Sequence, residues 1–137
     1  MDLSAINWLA VFISALAFFG LGAIWYGPLF GRAWQRGVGL SDEEVKGQMS
    51  KVFASAMVMA LVISTGMAVF LRSEWAPTET DAMAGATMGI MLGIFFILPS
   101  TAMSYIFARR PISLILIDAF YHMLAYALTG TILASWQ

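Results

Sequence analysis

Four stretches of this chain, at about residues 3–26, 52–71, 82–107 and 112–136, are apolar and, apart from Asp118, free of charged side chains. Each is long enough to cross the hydrocarbon core of a bilayer as a helix, which takes about 20 residues at about 1.5 Å per residue. In lipid every backbone N–H and C=O must be satisfied within the chain, so stretches of this kind span as helices. The sequence therefore predicts an all-α membrane protein, a four-transmembrane-helix antiparallel bundle in one domain covering residues 1–137, with short loops between neighbours. Composition agrees: 61% of residues are hydrophobic and 11% charged, where a soluble domain carries about 25% charge.

The same composition narrows the function. A net charge of −1 offers no basic field for nucleic acid. Without cysteine there are no disulfides, thiolate metal sites or cysteine nucleophiles. One histidine is too few for a metal centre unless symmetry supplies more ligands. It also argues against serine hydrolase chemistry, as does the lack of a nucleophile-elbow pattern. No enzymatic activity, cofactor or metal is expected. A secretory signal needs a positive segment before its apolar core, and here only Asp2 precedes the first block. That block is expected to remain as a permanent span.

Span one has Trp8 near one end and Trp25-Tyr26 at the other, and Gly27-Pro28 is expected to stop it. A loop with Arg32, Trp34, Arg36, Gly37 and Gly39 follows. Ser41 and Glu44 then form a capping box that starts a helix near Asp42, a short amphipathic lead-in into span two. Thr78 or Thr80 can cap span three. Pro99 is expected to kink that span, with Ser100, Thr101 and Ser104 pairing with the freed carbonyls. Pro111 opens span four, where its missing N–H costs nothing. Trp8, Trp25, Tyr26, Trp34, Trp75 and Trp136 are expected at the headgroup level, where an apolar ring and a polar tip are both satisfied.

Orientation follows from the basic residues. Arg32, Arg36, Lys46 and Lys51 fall in or near the first loop and Arg109 and Arg110 in the third, while the second loop has only Arg72. The positive-inside rule places the first and third loops in the cytoplasm and both termini outside, in the cytoplasmic (inner) membrane. Arg109-Arg110 is read as a topology signal first and an anionic-lipid contact second.

Lipid is as apolar as leucine, so spans associate through close packing of small residues. Gly85, Gly89 and Gly93 repeat at every fourth position in span three, and Ala56, Ala60, Ser64 and Ala68 do so in span two. These stripes serve either packing within one bundle or a seam between copies.

The stretch Asn7-Trp8-Leu9-Ala10, then Gly20 and Gly22, then Trp25-Tyr26-Gly27-Pro28-Leu29-Phe30-Gly31 with Trp34, resembles the opening of small bacterial and fungal membrane proteins grouped as domain-of-unknown-function family 1761. The acidic capping segment after Leu40, the glycine-rich third span and the span holding Asp118 resemble the same family. The resemblance covers nearly the whole chain, implies four spans and carries no assigned activity.

The candidate site is Asp118 with His122. They lie four apart and so share one helix face. Asp118 is about 9 Å inside the end of span four and His122 about 6 Å deeper. A carboxylate at that depth faces the bundle interior and has a partner. Thr101 and Ser104 are expected at its level, Ser64 and Thr65 nearer His122, and Thr129 further along the same stripe. Two readings stand: a proton- or cation-handling pair, or a hydrogen-bonded tie that fixes helix register. The favoured function is an accessory or scaffold subunit, or a homo-oligomer, working by helix packing in the bilayer with a larger membrane complex or with itself. The alternatives are a small proton- or cation-coupled transporter or channel, and a binder of lipid or another apolar ligand between spans.

Overall fold

Among the described residues there are four helices long and apolar enough to cross a bilayer, and one short helix between the first two: α1 (Trp8–Leu29), α2 (Gly31–Val38), α3 (Asp42–Leu71), α4 (Ala82–Phe107) and α5 (Ile112–Ser135). The computed structural model describes residues 5–74, 76 and 81–136, and there is no strand among them. Trp75, Thr78, Thr80 and Gln137 lie outside the described residues.

Local chemistry sets the helix ends. The Asn7 side chain accepts from the Ala10 N–H and starts α1 at Trp8, later than the Leu3 boundary read from hydropathy. Ser41 and Glu44 close a reciprocal capping box at the start of α3. For α4 the cap is Asp81, which accepts from the Ala84 N–H at 2.8 Å. The α4–α5 connector turns at Arg109, a non-glycine residue with φ 53°, and the Arg110 N–H closes the turn on the Tyr105 carbonyl.

Two prolines within the spans lie in or just after π turns. Gly27-Pro28 does not stop α1. The chain passes through it as a π turn, Trp25–Leu29, closed by the Phe30 N–H on the Trp25 carbonyl at 2.8 Å. Proline lacks an N–H and its ring crowds the carbonyl four residues back, and a wider turn relieves both problems. The chain then continues into α2 where a loop was expected. Gly31 permits this, because a Cβ there would lie 2.5 Å from the Tyr26 carbonyl oxygen. Pro99 is likewise preceded by a π turn, Gly93–Ile97. Ser104 bonds the Ser100 carbonyl rather than one freed by the proline.

α5 is the central helix. It packs on α4 most extensively, then on α1, and also on α2 and α3. α3 packs on α1, but α3 and α4, consecutive spans, do not form a packed pair. The order across the bundle is therefore α3, α1, α5, α4. Asn7 donates to the Trp136 carbonyl, so the start of α1 and the end of α5 lie at one end of the bundle with Arg72 near them. The opposite end carries α2 and the α4–α5 connector, tied by Arg110 donating to the Val38 carbonyl.

The buried side chains form two apolar layers. One, toward the termini, includes Ala10, Val11, Met67, Ala68, Met88 and Leu133; the other holds Ala15, Phe18, Ala60, Tyr121 and Ala125. Ser14, Ser64 and Thr129 fall between them along the three helices, each 0% exposed. The Ser14 hydroxyl donates to the Val11 carbonyl, whereas those of Ser64 and Thr129 have no partner among the described residues.

The glycine stripe of α4 faces α5. A Cβ at Gly85 would collide with the Gly130 carbonyl, one at Gly89 with the Tyr126 carbonyl, and one at Gly93 with Met123. Gly130 has the same relation to the Gly85 carbonyl, so the two backbones touch there. In the α3 stripe, Ala60, Ser64 and Ala68 are buried and Ala56 is exposed.

Candidate functional site

The site begins with the π turn of α1. Its widened geometry brings two consecutive side chains to bear on α5. Trp25 donates its indole N–H to the Ile117 carbonyl at 3.1 Å, and Tyr26 donates its hydroxyl to Asp118 Oδ1 at 2.7 Å. Near the end of α4, Tyr105 donates to Asp118 Oδ2 at 2.6 Å. Both distances fall in the range of about 2.5–2.7 Å for a hydroxyl bonded to a carboxylate. Asp118 is 5% exposed. One carboxylate thus ties three spans, each oxygen accepting from a different neighbour.

An aromatic cluster surrounds this tie. The Tyr26 ring meets Tyr121 edge-on at 4.9 Å and Trp34 at 5.7 Å. Tyr121 donates its hydroxyl to the Phe18 carbonyl and packs edge-on against Phe18 at 5.6 Å. Edge-to-face pairs of this kind contribute about 0.5–1.5 kcal/mol each beyond area burial.

His122 is beside the carboxylate but not bonded to it. Its Nδ1 lies 2.7 Å from the Asp118 backbone carbonyl. A carbonyl only accepts, so Nδ1 is the donor in this contact. The imidazole also packs against Tyr121 (4.9 Å) and Phe18 (6.4 Å). The side-chain pair suggested by their spacing is therefore a side chain and a backbone carbonyl one turn apart.

The small hydroxyls named from sequence do not serve Asp118. Ser104 is exposed and bonds within its own helix, and Thr101 makes no hydrogen bond to the carboxylate. Thr129 is on the buried face of α5, but eleven residues on, about 16 Å along the helix, in the layer with Ser14 and Ser64. Tyrosine replaces serine and threonine as partner because its ring carries the hydroxyl much further from its own backbone, across the gap between helices.

The aromatic residues divide by place. Trp8 and Trp136, at the termini, are 53% and 47% exposed. Trp25, Tyr26 and Trp34 are half-buried and turned into the bundle or the α2 contact. Beside Tyr26 and Trp34 is a recess of about 200 Å³ that also includes Arg32, Gln35 and Val45. No group of three or more potential metal-ligating side chains occurs among the described residues.

The chain belongs to the family described as proteins of unknown function, DUF1761, which matches residues 9–134. No curated protein and no solved structure gives a significant match.

Proposed function

We propose that this membrane protein works by helix packing, as a scaffold or accessory subunit, and that Asp118 is an internal fastener. The observation that supports this is the saturation of Asp118: it is buried, and each of its oxygens accepts a tyrosine hydroxyl from a different span. A carrier of protons or cations needs a carboxylate oxygen open to the ion. A binder of apolar ligands between α4 and α5 needs room along the glycine stripe, which the α5 backbone fills.

One surface left for a partner is the first half of α3. Between residues 42 and 59 no side chain is buried, and Val52, Phe53, Val58 and Met59 are each 45% exposed or more. The 30 residues of α3 extend about 45 Å, against a hydrocarbon core of about 30 Å. Its acidic and lysine-bearing start therefore projects past the membrane, and the apolar residues that follow face acyl chains or another helix.

The chain has no cysteine, so a single Met59→Cys variant can be cross-linked in native membranes without further engineering. A saturable adduct is expected, with a second copy or with a foreign membrane subunit at fixed stoichiometry. Reconstituted protein that carries proton or cation flux, lost in Asp118→Asn, would overturn the scaffold reading.

The basic-residue asymmetry supports an orientation in the cytoplasmic membrane with both termini outside. A reporter that works only in the cytoplasm is expected to be silent when fused after Gln137 and active when inserted between Arg109 and Arg110. The reverse pattern would refute that orientation.

A further inference from the structure

We infer that the recess beside Tyr26 is a binding site for the phosphate-bearing headgroup of an anionic lipid, with Arg32 as its cation. Its position is the first argument. The apolar block of α1 ends at Tyr26 and that of α3 begins near Val52. The recess, between Tyr26, α2 and Val45, lies just beyond the hydrocarbon edge, in the layer that lipid phosphates occupy.

Its chemistry is the second. Arg32 is exposed at the rim, and no carboxylate lines the recess. Of the three acids that open α3, Asp42 accepts from the Gln35 amide at 2.7 Å and Glu44 is held by Ser41, while Glu43 is exposed and does not line the recess. A guanidinium presents a fork of donors that matches phosphate geometry. Trp34 and Val45 supply an apolar wall for the start of the acyl chains, and the Tyr26 ring packs edge-on against Trp34.

Size is the third. At about 200 Å³ the recess is smaller than the roughly 300–1,000 Å³ of sites that enclose whole organic ligands. It suits a headgroup whose tails remain in the bilayer. This inference does not depend on the scaffold reading, since the recess meets α3 only at Val45, short of the apolar face at Val52, Phe53, Val58 and Met59, and does not include Asp118.

Native mass spectrometry of the full-length protein in mild detergent tests it, with phosphatidylglycerol and phosphatidylcholine added in turn. Phosphatidylglycerol should be retained preferentially. Arg32→Gln should reduce its retention roughly fivefold, the value of one basic residue at a membrane surface. Arg32→Lys should keep most of it, and Arg72→Gln, a cation at the other end of the bundle, should leave it unchanged. Equal retention of the two lipids, or equal losses in Arg32→Gln and Arg72→Gln, would overturn the site. Inorganic phosphate that displaces the lipid completely would assign the recess to a free anion and overturn the lipid assignment.

Discussion

Gly89→Ala is expected to destabilise the bundle by roughly 3 kcal/mol or more, although it adds one methyl group. That methyl would be placed against the Tyr126 carbonyl and the Ala127 N–H. Both belong to the α5 backbone, so no side chain can rotate out of the way. α4 and α5 must separate, and separation loses the dispersion contacts that hold spans together where no hydrophobic effect acts between them. The damage spreads because Gly85 and Gly130 touch one turn away. Gly66→Ala is the control. A Cβ there has nothing within 4 Å, and alanine is the better helix former, so it should be neutral or stabilising by up to about 1 kcal/mol. Denaturant titration in detergent, followed by circular dichroism, compares the two. Similar midpoints would mean that the stripe does not set the α4–α5 distance.

Much of this fold is legible in the sequence because the bilayer imposes simple rules. Charge-free blocks of helical length place the four spans, and the Ser41–Glu44 pair sets the start of α3. The stripe at Gly85, Gly89 and Gly93 reads as a place of close approach without naming the neighbour, since a repeat at every fourth position states only that a backbone comes near. α5 is that neighbour, and its half of the contact is the single Gly130, which no pattern marks.

The site is less legible, for two physical reasons. Pro28 reads as a stop when an ordinary α-turn is assumed. A π turn is a second solution, and it keeps the chain helical while turning Trp25 and Tyr26 toward α5. Tyrosine near a span end reads as an interfacial anchor, the common case, so a bond from Tyr26 to Asp118 is not anticipated and Tyr105 passes unremarked. One signal was available. Tyr105 and Asp118 are thirteen residues apart across a tight connector, which sets them at similar depths on adjacent antiparallel helices. The order of the spans was not available, because loop length alone does not show that α1 and α5 lie between α3 and α4.

Asp118→Leu is expected to weaken the bundle more than a loss of packing volume alone. It strands the hydroxyls of Tyr26 and Tyr105, each of which donates to that carboxylate. A buried polar group deprived of its partner costs about 1–3 kcal/mol. Side-chain hydrogen bonds within membrane bundles average only about 0.6 kcal/mol, but bonds to a carboxylate are stronger than neutral ones. The loss should therefore be roughly 2 kcal/mol or more for the two together. Asp118→Asn should lose less, since its oxygen still accepts from one tyrosine and its amide donates to the other. The deciding variant is the triple Asp118→Leu, Tyr26→Phe, Tyr105→Phe. Removing every member of a buried polar group at once leaves nothing unsatisfied and is nearly neutral in favourable cases. If the carboxylate is a fastener, the triple variant should recover much of the stability lost in Asp118→Leu and still form the Met59→Cys adduct. A triple variant as stable as wild type that forms no adduct would show that the carboxylate does something besides hold the three spans together.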